Sequence, residues 1–306
     1  MSDHGQGRRR RPWARLAGVA LIIALAATGC SAASEAAKPI TPADASSFGQ
    51  LGGVAGLNAG QPPLLGLPQD PFAGTPADAW GDGTAGIVPP QATSMGHFSA
   101  GQVQSAYATT GNLLAAAYLD QQTLLGGAPT AFADLLSGQQ RTWFLGNLNK
   151  KGMNKDGIPL STRAQVMSFP PGGAQLFGGG VKVNGKMSAT LASYRGQPML
   201  VVHADYIFVY AIEPPGYPAK WMRVIPEAKW TVMFGNWAGS PWVTVVGSGV
   251  TGVKCGTSDG YVHPSYPGSA KAAPSLSATK AAKQVNPYVL GAQIKGTATC
   301  QATTGT

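Results

Sequence analysis

The chain has 306 residues, of which 11% are charged, and a net charge of +9. Gly (42) and Pro (24) make up about a fifth of it, against ~12% in an average soluble domain, so part of the chain reads as linker. One long apolar run excludes a multi-span membrane protein, the scarcity of Glu (Glu35, Glu213, Glu227) excludes a coiled coil, and three Cys are too few for a disulfide-dense miniprotein.

The N-terminus reads as an address. Arg8, Arg9, Arg10, Arg11 and Arg15 form a positive segment, followed by an apolar stretch from Leu16 to Ala27. As a helix that stretch would span ~18 Å, too short for a bilayer core of ~30 Å. It therefore has the form of a signal peptide covering residues 1–29. It ends in Ala27-Thr28-Gly29-Cys30-Ser31, which resembles the bacterial lipobox. The resemblance implies diacylglyceryl transfer to Cys30, cleavage before it, and a palmitate-bearing lipoprotein on the extracytoplasmic face of the cell membrane. Each buried methylene contributes ~0.8 kcal/mol, so two acyl chains anchor a protein stably.

Cleavage would remove five Arg and one Asp and leave a net charge of +5. With Cys30 lipidated, Cys255 and Cys300 remain. An oxidising compartment and an even count read as a disulfide, with two free thiols as the alternative. No residue pattern supports a metal or a cofactor.

Residues 30–95 comprise the lipidated Cys and a tether. Among residues 31–95, 41 of 65 are Ala, Gly, Pro, Ser or Thr, without helical or strand period, the composition of a disordered spacer. The globular domain is expected over residues 96–256. Ser99 with Gln102 fits a capping box, and Phe98 with Val103 a hydrophobic staple. Val103, Tyr107, Thr110, Leu114, Ala117 and Tyr118 then define one helix face, which Gly126-Gly127 would end. Ala131 to Leu136 predicts a short second helix. Ser137 with Gln140 predicts another capped helix, running through Trp143 and Phe144 towards Leu148.

After Ser161 the period changes to two. Ala164 to Phe169 predicts a strand. Gln175 to Val183 and Lys186 to Tyr194 flank Asn184-Gly185, a strong hairpin signal. Met199 to Ile212, Trp221 to Phe234 and Trp242 to Val253 predict further strands, with Pro226 marking a bulge or an edge. From residue 257 to 306 the chain reads as an irregular tail, tied back by the disulfide. After residue 250, Lys254, Lys271, Lys280, Lys283 and Lys295 face only Asp259 and would favour an anionic surface.

Helices first and antiparallel strands after is an α+β order. Over residues 98–255 this order resembles the cystatin-like cone of the nuclear transport factor 2 superfamily. The resemblance implies N-terminal helices packed on a bent antiparallel sheet, with an apolar pocket between them. Tyr118-Leu119-Asp120 and Gly126-Gly127-Ala128-Pro129 also make the chain similar to secreted actinobacterial lipoproteins of unknown function.

Three nucleotide- or hydrolase-like matches fail on context. Gly247 to Gly252 fits GxGxxG, but no helix start follows it. Gly180 to Lys186 approximates a phosphate loop, but Met187 replaces the metal-binding hydroxyl. Gly256 to Gly260 fits GxSxG beside His263, but Pro264 and Pro267 prevent the helix that a nucleophile elbow needs. Asp78 and Asp82-Gly83 mimic part of a calcium loop, with Trp80 and Pro89 where oxygen ligands belong.

The strand over 200–212 carries the candidate site. Side chains alternate faces, so Val202, Ala204, Tyr206, Phe208, Tyr210 and Ile212 share the helix-facing side. Tyr206, Phe208 and Tyr210 are the candidate ligand pocket, with the hydroxyls orienting an apolar ligand. His203 and Asp205 point the other way. The leading expectation is a non-catalytic binding or interaction domain of the cell envelope. The alternatives are a cone enzyme using His203 and Asp205 as a general acid–base pair and a structural cell-wall contact protein acting through the basic tail. Expected partners are the membrane, through the anchor, and an anionic cell-wall polymer or an envelope protein. Nucleic acid is not expected, since no dense basic cluster with interleaved aromatics occurs.

A lipidated Cys30 has a direct check. Cells fed a palmitate analogue should label the wild-type chain and leave Cys30→Ala unlabelled; a labelled Cys30→Ala chain would refute the site.

Overall fold

The computed structural model describes residues 70–155, 158–235, 241–254, 256–268 and 286–293. Cys30, Cys255, Cys300, Lys271, Lys280, Lys283 and Lys295 lie outside them. The described residues form an α+β fold. Helices α1 (Ala100–Tyr118), α2 (Gln121–Leu124), α3 (Thr130–Leu135) and α4 (Gly138–Gly146) pack on one face of an open, five-stranded antiparallel sheet. Its strands are β1 (Gly81–Asp82), β2 (Gln175–Tyr194), β3 (Gln197–Glu213), β4 (Met222–Phe234) and β5 (Trp242–Thr251), in sequence order across the sheet.

The capping box is present in full. Ser99 Oγ accepts from the Gln102 N–H at 3.3 Å, and Gln102 Oε1 accepts from the Ser99 N–H at 2.8 Å. Helix α1 stops at Tyr118, earlier than Gly126, because Asp120 opens a new helix. Its carboxylate accepts from the Thr123 N–H at 2.9 Å and the Thr123 hydroxyl at 2.7 Å. Ser137 Oγ caps α4 at 3.3 Å, but Gln140 does not reach back to close the box. Its buried amide crosses to β5 instead, donating to Val243 O at 2.6 Å and accepting from Val243 N–H at 3.1 Å.

Four expectations are corrected. Residues 164–169 are no strand. Thr162–Gln165 is a short 3₁₀ turn, and the Met167 and Phe169 N–H groups donate to Ala117 O at 2.9 Å and Leu124 O at 2.8 Å. The segment thus satisfies carbonyls that helix ends leave open. Order also begins well before residue 96. Phe72 and Ala77 are buried on the outer face of the sheet, and β1 pairs with β2 through Gly81↔Val183 and Asp82↔Lys182. Arg223 fastens this segment by donating to Pro71 O at 2.6 Å, and Lys182 pairs with Asp82 at 2.9 Å.

The third correction moves the hairpin. Asn184-Gly185 lies inside an unbroken β2, and the turn is Arg195-Gly196, joining Tyr194↔Gln197. Both turn residues have positive φ, 52° and 77°, as a tight type I′ connection requires. Gly185 has a different task. It faces Tyr206, and a Cβ there would sit 2.3 Å from the Tyr206 ring. Finally, Pro226 marks neither an edge nor a bulge. β4 lies between β3 and β5, and Pro226 pairs with Val250. The ladder to β3 skips only from Ile207↔Glu227 to Tyr210↔Val224 with unchanged register, as a residue without an N–H dictates. The bulge in this part of the sheet falls between Lys229 and Trp230, where β5 carries the extra residue Val246.

The core lies between helices and sheet. Tyr118 of α1 stacks on Phe208 at 4.6 Å and 9°, and Trp230 sits 5.8 Å from Tyr118 and 5.7 Å from Phe132. Burial of each large side chain stabilises by ~1.5–3 kcal/mol. A second, smaller cluster covers part of the opposite face, where Ile207, Val209, Ala211 and Ile225 meet Phe72, Ala77, Trp80, Tyr288 and Leu290.

The turn assignment predicts opposite sensitivities at two sites. Asn184→Val should shift unfolding by less than ~0.5 kcal/mol. Gly196→Ala, at φ 77° with open space around it, should cost ~1–2 kcal/mol. Urea titration of the two variants would return the reverse order if the turn were at Asn184-Gly185.

Candidate functional site

The register lays the outer face out in rows. Ser188, His203 and Thr231 form one row across β2, β3 and β4, and Lys186, Asp205 and Lys229 form the next. A third row contains Asn184, Ile207 and Glu227. Beyond it the apolar cluster covers the sheet. The uncovered rows border a concavity of about 420 Å³ lined by Lys186, Ser188, His203, Asp205, Lys229 and Thr231, with Val246 at its β5 side.

His203 and Asp205 therefore do lie on the face opposite the helices, and both line this groove. They do not act on each other, and no hydrogen bond joins them among the described residues. The His203 ring lies between two threonines, with Nε2 2.9 Å from Thr190 Oγ1 and Nδ1 3.4 Å from Thr231 Oγ1. Asp205 turns the other way, towards the Glu227 carboxyl. Its Oδ1 is buried without a hydrogen-bond partner.

Glu227 is the residue that sequence reasoning missed. It is fully buried, beneath the segment 286–293. Its Oε1 accepts from the Gly291 N–H, and its Oε2 accepts from the Gln293 N–H at 3.1 Å. Gly249, opposite Glu227 on β5, makes the close approach possible, since a Cβ there would lie 2.7 Å from Gln293 Cβ. Burial holds the Glu227 carboxyl above its ordinary range. The Asp205 carboxyl pushes the same way, while the Gly291 and Gln293 N–H groups oppose it. Two carboxyl groups in contact share a proton more readily than they bear two charges.

Tyr206, Phe208 and Tyr210 are wholly buried. Tyr210 donates to Tyr118 O at 2.6 Å and Tyr206 to Val88 O at 3.4 Å, and the Phe208 ring is stacked on Tyr118. Burial pushes the Tyr206 hydroxyl up to about 12 and the Tyr210 hydroxyl well above its ordinary value. These side chains form the packed interior between sheet and helix α1.

The discarded motifs find other uses. Gly247 to Gly252 lies on and just beyond β5, with no helix after it. Ser258 of the GxSxG match is exposed. His263 Nε2 pairs with Asp259 at 3.0 Å, and Tyr261 lies under the Arg163 guanidinium at 4.5 Å. Arg163 is itself buried, donating to Gly127 O at 2.9 Å and Ser168 Oγ at 3.2 Å. This cluster ties the 256–268 segment to the helices. Among the described residues no group of His, Cys, Asp and Glu side chains is arranged to hold a metal, and no helix is long and apolar enough to cross a membrane.

Glu227 predicts a pH signature. A folded-state value raised above the ordinary 4.5 gives stability that is complete below that value and lost as pH rises through the folded one. Wild type should therefore lose stability, relative to Glu227→Gln, as pH rises from about 4 to 7. Glu227→Gln should also loosen residues 286–293, because the amide NH₂ cannot accept from one of the two N–H groups. Urea titrations at both pH values, with hydrogen exchange at Gly291 and Gln293, check the two effects; parallel pH profiles would refute the first.

No protein-family model, no curated protein and no solved structure matches this chain.

Proposed function

We propose that this chain is a membrane-anchored extracytoplasmic lipoprotein, lipidated at Cys30. Its α+β domain is a non-catalytic binding module, facing the cell envelope with the outer groove of its sheet. The anchor reading is supported by the basic segment, the apolar stretch and Ala27-Thr28-Gly29-Cys30. The cystatin-like, nuclear transport factor 2-like reading is supported by helices that precede four long antiparallel strands and pack on one face of them.

One observation carries the choice of surface. The helix-facing side chains Tyr206, Phe208 and Tyr210 are wholly buried, with both hydroxyls bonded to backbone carbonyls, whereas Lys186, Ser188, His203 and Lys229 border a concavity and are exposed. A ligand meets the second set without unpacking the core. The reading as a binder rests on how the polar groups are engaged. A general acid or base must come within hydrogen-bond reach of the substrate proton that it moves. Here His203 faces Thr190 and Thr231, and Asp205 faces Glu227.

The test uses the full chain in cells, with a photo-crosslinking residue placed at Ser188 in the groove or at Val88, an exposed site away from it. Ser188 should yield adducts whose mass identifies an envelope polymer or protein, and Val88 should not. Adducts from Val88 alone would remove the groove as the binding face. Turnover of an envelope component that His203→Ala with Asp205→Asn abolishes, in a chain that still folds, would replace the binder by an enzyme.

A further inference from the structure

Cross-strand neighbours of opposite charge ordinarily pair, and the register sets Asp205 directly between Lys186 on β2 and Lys229 on β4. That pairing does not form. The ion pairs among the described residues are Arg141–Asp134, Lys182–Asp82 and His263–Asp259, and neither groove lysine has one. Asp205 is instead drawn to Glu227, with its Oδ1 buried and unpartnered. Glu227 is fixed in turn by the Gly291 and Gln293 N–H groups. The carboxylate that the sheet places between two ammonium groups is thus committed elsewhere.

We propose that Lys186 and Lys229 clamp an anionic group, a phosphate or carboxylate carried by an envelope polymer, in the outer groove; this rests on the reading of that groove as the binding face. Asp205 is turned to Glu227 on the adjacent strand, so neither groove lysine has a carboxylate partner among the described residues. Two strand spacings separate the lysine backbones by ~10 Å, within reach of two flexible stems closing on one anion. Ser188 and Thr231, in the adjacent row, offer hydroxyl donors. The cations that line the groove are point charges rather than planar guanidinium forks. Recognition is therefore by charge, tolerant of the ligand's shape, and sensitive to salt. A repeating anionic polymer suits such a site, because each repeat offers the same charge to the clamp.

The experiment titrates the full lipid-bearing chain, in non-ionic detergent micelles at low ionic strength, with three probes: inorganic phosphate, poly(glycerol phosphate) and polygalacturonate. At least one polymer should bind. Lys186→Ala and Lys229→Ala should each weaken it about tenfold, the loss expected from one charge-assisted contact. Lys186→Gln serves as a second variant that keeps the stem and removes only the charge. Lys151→Ala, exposed and outside the groove, should leave affinity unchanged. Preference for the phosphate polymer or the uronate polymer identifies which anion the clamp takes. Binding that is indifferent to Lys186 and Lys229, or absent with all three probes, overturns the clamp. In that event adducts at Ser188 in cells would still uphold the groove as a binding face for another partner. Clamp binding in micelles without any such adducts would overturn only the envelope reading.

Discussion

A two-residue turn at Arg195 and Gly196 fixes which side chains meet on both faces of the sheet. From Val181↔Tyr210 to Tyr194↔Gln197 the β2–β3 ladder keeps a single register, and a slip of one residue would send every side chain of a strand to the other face. On the helix side the register brings Gly185 under Tyr206, where no larger residue fits. On the outer side it brings Lys186 opposite Asp205 and Ser188 opposite His203. The packed interior and the polar groove are thus two consequences of one backbone conformation.

The interior earns its rigidity from aromatic contacts made across chain-distant elements. Tyr118 closes helix α1 and meets Phe208 of β3 and Trp230 of β4, while its carbonyl accepts from Tyr210. Gln140 adds a polar tie in a place where hydrocarbon alone would leave Val243 N–H and O without partners. Such a bond contributes only ~0.5–1.5 kcal/mol net, but leaving the buried groups unmade costs ~1–3 kcal/mol. The tie acts mainly by excluding other placements of α4 against β5.

Much of this was legible from local chemistry. Ser99 and Gln102 are adjacent in sequence terms, so their capping box could be read directly, and the alternation from Val202 to Ile212 correctly separated the two faces of β3. Misreadings arose where tertiary contacts reassigned a local signal. Asn184-Gly185 has the residues of a hairpin turn, but Gly185 is there to admit the Tyr206 ring, and the turn uses Arg195 at positive φ. With the turn placed at 184–185, Lys186 could not be set opposite Asp205, so the groove stayed hidden. Residues 164–169 alternate like a strand but lend their N–H groups to helix ends. Residues 70–95 have the composition of a spacer, yet Phe72 and Ala77 find an apolar stretch of sheet made by Ile207, Val209, Ala211 and Ile225. Glu227 gave no signal at all, because its partners are backbone N–H groups of Gly291 and Gln293.

The extra residue at Val246 bears on solubility. β5 is the last strand of the sheet and contains no charged residue over Trp242–Thr251. Such an edge invites a neighbouring molecule to continue the ladder. A flat template is what that growth needs, and the irregularity at Val246 interrupts it midway. At Val243, the side chain of Gln140 already occupies the N–H and the carbonyl that an incoming strand would seek. One bulge and one glutamine amide together blunt an otherwise uncharged rim and hinder a second molecule from continuing the sheet there.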